Sequence, residues 1–167
     1  NKLSIQEINI IKYKIKMLDI KDFKKKLDKK SRLMGIDPGK KRIGIAISDE
    51  NKEIATPYKI LIKESYSAFI EEIKKIIHDN SIKGIVVGNP INMDGTSSES
   101  SQSAKDMAIN LSKDISEPIT MWDERLSSYG AFNLTSNLDI NTSKRLKKLD
   151  QNAAAFILQG ALDYLKK

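Results

Sequence analysis

Cysteine is absent from the 167 residues, and histidine occurs once, at His78. Disulfides, thiolate nucleophiles and Cys-ligated zinc are therefore excluded. A lone imidazole also cannot build a His-based metal site or serve several catalytic roles. Any metal must be held by carboxylates, whose hard oxygens favour Mg²⁺ or Mn²⁺. Aromatic residues make up only 6% of the chain, so base-stacking platforms are not an obvious mode of nucleic-acid binding. No apolar run approaches the roughly 20 residues needed to span a bilayer. The lysine-rich N-terminus offers no apolar signal segment. The expectation is a cytoplasmic protein with no membrane partner.

The net charge of +7 is misleading until it is located. Residues 1–32 hold 11 Lys/Arg and 4 Asp/Glu, whereas residues 33–167 hold 18 of each. The whole excess lies in the first segment, so only local patches of the remainder argue for phosphate binding. The division this suggests is a basic, flexible N-terminal extension (1–32) followed by one folded domain (33–167). Residues 11–17 alternate as a strand would, while Ile8, Ile11, Ile15 and Leu18 also suit one helical face. Met17 reads as an alternative start, with 1–16 as a leader.

From Leu33 the pattern sharpens. Leu33–Ile36 is a short apolar run ending at the turn Asp37-Pro38-Gly39. Strands follow over Arg42–Ser48 and Glu53–Leu61, with Pro57 marking an edge or bulge. A helix presents Tyr66, Phe69, Ile70, Ile73, Ile76 and Ile77 on one stripe. Gly84–Gly88 reads as a strand covered on both faces. A second helix carries Ala104, Met107, Ala108 and Leu111, with Thr96 and Glu99 spaced as a capping box. Pro118–Asp123 is a fifth strand. After a basic interruption around 137–148, a last helix runs from about Leu149 to Leu165. Three hairpin-linked strands, then helix, strand, helix, strand and helix, imply an α/β fold. Its mixed five-stranded sheet has the first three strands antiparallel.

Acids stand at the ends of three elements. Asp37 closes an apolar strand, where it either opens the turn or serves chemistry. Asp123 and Glu124 close the fifth strand, and alternation lets only one of them share a face with Asp37. Asp150 precedes Ala153, Ala154 and Ile157 by three, four and seven residues, on the apolar stripe of the last helix. If that helix begins at Asp150, the residue is an ordinary N-terminal acid favoured by the helix dipole. If it begins earlier, an acid faces the core and needs a partner. Lys40-Lys41-Arg42 and Lys144, Arg145, Lys147 and Lys148 flank two of these acids. Each cluster is either a solvated face or a phosphate contact.

Four motifs in order resemble the YqgF family of pre-16S rRNA nucleases and Holliday-junction-resolvase-like proteins. They are Gly35-Ile36-Asp37-Pro38-Gly39-Lys40-Lys41-Arg42-Ile43-Gly44, the stretch from Gly88-Asn89-Pro90 to Gly95-Thr96, Asp123-Glu124-Arg125-Leu126-Ser127, and Asp150-Gln151-Asn152-Ala153-Ala154. The resemblance spans roughly 33–165 and implies an RNase H-like fold. It places the family's acidic residues on Asp37, Glu124 and Asp150, as both catalytic residues and ligands of Mg²⁺ or Mn²⁺.

The function this implies is a metal-dependent endonuclease that hydrolyses phosphodiester bonds in structured nucleic acid, at the 5′ end of pre-16S rRNA. Lys40, Lys41, Arg42, Arg125, Lys144 and Arg145 would bind the nucleic acid, and 137–148 would form a basic flap. The implied partners are pre-rRNA or branched DNA and ribosomal precursor particles, with the chain a monomer or homodimer. A DNA junction resolvase and a non-catalytic RNA-binding or transcription-associated factor are the alternatives on the same fold. A two-domain sugar-kinase-like ATPase would need more chain than this.

Overall fold

The computed structural model describes residues 2–126 and 142–167, with side chains except at Ile10, 12–16 and 142–151. Among the described residues the sheet has six strands: β1 (Met17–Leu18), β2 (Arg32–Pro38), β3 (Arg42–Ser48), β4 (Ala55–Ile62), β5 (Ile82–Asn89) and β6 (Ile119–Asp123). They lie in the order β1-β6-β5-β2-β3-β4. The helices are α1 (Ile5–Lys16), α2 (Ile20–Lys26), α3 (Tyr66–Asp79), α4 (Glu99–Asp114) and α5 (Thr142–Leu165). β2 pairs antiparallel with β3, and β3 with β4. β2–β5, β5–β6 and β1–β6 are parallel. Apart from β1, this is the expected RNase H-like α/β arrangement, with β3 alone running against its neighbours.

Alternation along the strands sends side chains into two cores. Met34 and Ile36 of β2, Ile43, Ile45 and Ile47 of β3, and Ile85 and Val87 of β5 face α3 and α4. Leu33, Ala46, Val86 and Trp122 face α2 and α5. Every second residue changing face is the ordinary consequence of the pleat. α5 buries Ala153, Ala154, Ile157, Leu158, Ala161, Leu162 and Leu165, the stripe the sequence predicts.

Glycines let α5 lie close. A Cβ on Gly35 would sit 2.6 Å from Leu158 Cβ and 3.0 Å from the Ala154 carbonyl. On Gly88 it would sit 2.7 Å from Ile157 Cδ1. Both distances are well inside van der Waals contact, so side chains there would force the helix away from the sheet.

Several expectations change. The ambiguous segment near the N-terminus is helical through Lys16, and Met17–Leu18 then adds a sixth strand against β6. Asp19 caps α2 by accepting from the Asp22 N–H at 2.8 Å. Phe23, fully buried, packs beneath Gly84. Part of the basic first segment is thus built into the sheet and core. The cap of α4 is Ser98, whose Oγ accepts from the Ser101 N–H at 3.0 Å; Thr96 instead bonds to Asp94 and Asn92. α5 begins at Thr142, so 142–148 form its first turns, while 137–141 lie outside the described residues. On β4, Tyr58 is skipped in the pairing with β3, an irregularity beside Pro57. No described helix is long and apolar enough to cross a membrane.

Truncating Phe23 to Ala is expected to cost about 3–5 kcal/mol, the usual loss for a buried aromatic. Urea denaturation would measure it. An effect below about 1 kcal/mol would show that 17–26 contributes nothing to the core.

Candidate active site

Asp37 is the penultimate residue of β2, paired with Gly44 of β3. The turn that follows is tight: a Cβ on Gly39 would lie 2.0 Å from the Arg42 carbonyl oxygen, so only glycine fits there. Gly44 has the complementary role. Its Cβ position is 3.4 Å from both Asp37 Cβ and Ala154 Cβ, which places Asp37 on the α5 face beside Ala154.

Glu124 arrives from the opposite side. β6 ends at Asp123, and a 3₁₀ turn, Glu124–Leu126, carries the chain on. A Cβ on Gly88 would lie 2.6 Å from Glu124 Oε1, so the bare backbone of β5 admits the carboxylate. The Glu124 carboxyl is pushed up to about 7. Burial is the first cause, and the negative charges of Asp37 and then Asp123 add to it. Two carboxylates thus share one half-buried site, and protonation relieves their repulsion.

Asp123 has a different task. Its carboxylate takes Arg125 in a bidentate grip: Nε at 3.0 and 3.1 Å and Nη2 at 2.6 Å. The Arg125 N–H adds a fourth bond at 3.0 Å. This holds the Asp123 carboxyl below its ordinary value, chiefly through the Arg125 side-chain bonds. Alternation predicts that only one of the two acids joins Asp37, and Glu124 is that one.

Asp150 lies on α5, one turn before Ala154, and its side chain lies outside the described ones. Because α5 starts at Thr142, position 150 is interior to the helix, and the reading of Asp150 as an N-terminal acid no longer holds. Lys144 and Arg145 are on the first turns of α5, again with side chains outside the described set. Lys40 and Lys41 occupy the β2–β3 turn and Arg42 opens β3; all three are exposed. Lys40 Nζ stands 3.7 Å from Glu99, a solvent-facing pair worth little. Among the described residues no three acids or histidines cluster closely enough to hold an ion. The described part of the site is the Asp37–Glu124 pair.

A model of the RuvX family, described as Holliday junction resolvase, matches residues 31–164. The chain belongs to the RuvX family. A protein of Pelagibacter ubique named "Putative pre-16S rRNA nuclease" is 57% identical over 149 residues, 89% of this chain and 99% of the relative. A protein of Rhodobacter capsulatus with the same name is 41% identical over 86% of this chain and 91% of its own length. The sequence resemblance to the YqgF family is thereby borne out. Among solved structures, the yeast mitochondrial Holliday junction resolvase Ydc2 is 11% identical, covering 88% of this chain and 84% of that one at a TM-score of 0.49. That likeness is too loose to carry an argument.

Gly88 and Gly44 were visible in the sequence only as motif glycines. Their role in seating two carboxylates depends on α5, a long way along the chain. The grip of Asp123 on Arg125 was equally hidden, although an acid two residues before an arginine after a strand is a usable signal.

The raised Glu124 carboxyl makes stability pH-dependent. Between about 4.5 and 7 the folded chain keeps a proton that the unfolded chain has released. Without divalent cations, stability therefore falls as pH rises through that window and is lowest above it. Glu124→Gln is expected to raise ion-free stability at about pH 8 by at most about 3 kcal/mol. Thermal denaturation in chelator, scanned over pH, reads this out; a wild-type Tm that rises through the window would contradict the geometry.

Proposed function

We propose that the chain is an endonuclease hydrolysing phosphodiester bonds in structured nucleic acid, with pre-16S rRNA 5′-end processing as its task. The observation that carries this reading is the paired Asp37 and Glu124 carboxylates, crowded enough to push one of them up to about 7. Two carboxylates crowded in this way fit a divalent cation, and their hard oxygens suit Mg²⁺ or Mn²⁺. The names of the relatives, and the family's description as a resolvase, support the same reaction class.

Asp37, Glu124 and Asp150 would hold the metal. Helical period puts position 150 on the stripe of Ala154 and Ile157, the part of α5 that passes over Asp37 and Gly88. When bound, such an ion supplies Lewis-acid activation of water and stabilises the leaving oxygen. The chain's own residues do the rest. The glycines fix where the carboxylates point, and α5 and Trp122 exclude water from behind them. Lys40, Lys41 and Arg42 reach phosphates beside Asp37, and Lys144 and Arg145, on the helix that bears Asp150, bind the nucleic acid as well. Arg125 adds positive field at the same end while its N–H groups hold Asp123. The nuclease unit is 33–167, with 17–26 a strap across the sheet edge.

The family's resolvase description favours one second reading, symmetric cleavage of a four-way DNA junction, which needs two copies of the site. Asp37→Asn is expected to lower Mn²⁺-dependent cleavage of a pre-rRNA leader fragment by ~100-fold or more with an unchanged circular-dichroism spectrum. Undiminished cleavage would sink the assignment. Faster cutting of a DNA junction than of the leader RNA would transfer it to the second reading.

A further inference from the structure

The last two residues of β5 face opposite sides of the sheet. Gly88 lies under α5 and gives room to the Glu124 carboxylate. Asn89 follows it and turns to α4, on the face of Val87, as the pleat requires. Its Oδ1 accepts from the Ser101 hydroxyl at 2.8 Å. Beside it, Ser98 Oγ donates to the Pro90 carbonyl at 3.1 Å. The end of β5 is thus tied at two points to the first turn of α4.

Asn89 is only 8% exposed, yet its one side-chain bond is the Oδ1 contact to Ser101. Buried amides ordinarily pair their donors. Among the described residues the sealed polar side-chain atoms without a partner are Thr120 Oγ1 and Trp122 Nε1. Asn89 Nδ2 is neither paired nor sealed, so it is a donor held in place that meets solvent at the sheet end. The helix end beside it also has donors to offer. Ser98 Oγ takes the Ser101 N–H at 3.0 Å, which leaves the N–H groups of Glu99 and Ser100 open.

The charges at this corner are balanced. Asp123, in register with Asn89, is gripped by Arg125. The Glu99 carboxylate stands 3.7 Å from Lys40 Nζ, and Lys105 Nζ lies 3.5 Å from Ser97 Oγ. The open groups are donors, so the ligand is an acceptor, and the helix dipole makes it an anion. The position fits as well, because ligands of open α/β sheets sit outside the carboxyl ends of parallel strands.

We propose that Asn89 Nδ2, the Glu99 and Ser100 N–H groups and Lys40 seat a backbone phosphate of the strand whose neighbouring phosphodiester lies at Asp37 and Glu124. The nuclease reading supplies the owner of that phosphate. Gly88 and Asn89 are consecutive, so a strand draped over the end of β5 meets the carboxylates on one face and this seat on the other. An arriving phosphate displaces Glu99 as the partner of Lys40. Held there, the strand is fixed in register without any base being read.

The test uses the full chain carrying Asp37→Asn, titrated with inorganic phosphate and followed by amide NMR. The Glu99 and Ser100 N–H signals and the Asn89 side-chain amide are expected to shift. Asn89→Asp keeps the acceptor for Ser101 and removes the donor; it should abolish these shifts and weaken binding of a short RNA hairpin about tenfold, the loss of one hydrogen bond to a charged group. A second pair leaves Asn89 untouched. Proline is well accommodated at the first helical position, and Ser98 before it is extended, with φ −97° and ψ 172°. Glu99→Pro should therefore fold, and should bind phosphate and RNA more weakly than Glu99→Gln, which keeps the N–H. Saturating RNA should block the phosphate shifts. Absent shifts, or equal affinities within the Glu99 pair, overturn the seat. Phosphate shifts that persist under bound RNA overturn its assignment to a strand. None of these readouts needs cleavage, so failure of the nuclease reading appears separately, as a wild-type chain that leaves the RNA uncut.

Discussion

The distance between α5 and the sheet governs this molecule. Gly35, Gly44 and Gly88 stand on three different strands, and all three turn the same face to the helix. With no side chains there, Ala154, Ile157 and Leu158 settle onto bare backbone. Interiors are packed densely enough that a gap of one methyl group is felt. Asp37 lies beside Ala154 and Gly44, and Glu124 fills the space over Gly88. Their crowding follows from helix packing as directly as from their own sequence neighbours. A site of this kind resists being moved piecemeal, because whatever shifts α5 shifts the room left for both carboxylates.

Asp123 and Glu124 show how backbone geometry divides work between adjacent like residues. The pleat sends Asp123 toward one side of the sheet, where Arg125 neutralises it through two guanidinium nitrogens. The 3₁₀ turn sends Glu124 to the other side, where burial and Asp37 raise its proton affinity. One acid is held ionised and the other is brought close to neutrality, though they are chain neighbours. Environment rather than residue type assigns the roles.

The fold was legible wherever its signal was local. The period of two in Arg42–Ser48, the stripe of Phe69, Ile70, Ile73 and Ile77, and the apolar run of β5 all follow from nearest-neighbour sequence patterns. Asp37 was legible as a strand-end acid, and Glu124 only through the resemblance, since alternation by itself could not choose between 123 and 124. The errors have physical causes. Thr96 was spaced like a helix cap, but Asp94 competes for its hydroxyl and N–H, and the cap passes to Ser98. Met17–Leu18 is too short to announce a strand, and forms one because β6 offers an unpaired edge. Phe23 was lost in a run of lysines, although amphipathic helices often carry one anchoring aromatic on a charged background. The basic character of 1–32 concealed that part of it belongs to the core.

The two borders of the sheet are closed by unlike means. On one side β1 covers β6 with only two residues, and α2 follows at once. On the other, β4 includes Pro57, which has no N–H to offer, and a bulge at Tyr58 that breaks the even ladder. An incoming strand would find a short, capped border on the first side and an interrupted one on the second. Both borders therefore work against copies of this chain joining into one continuous sheet, as a flat and unbroken edge would invite.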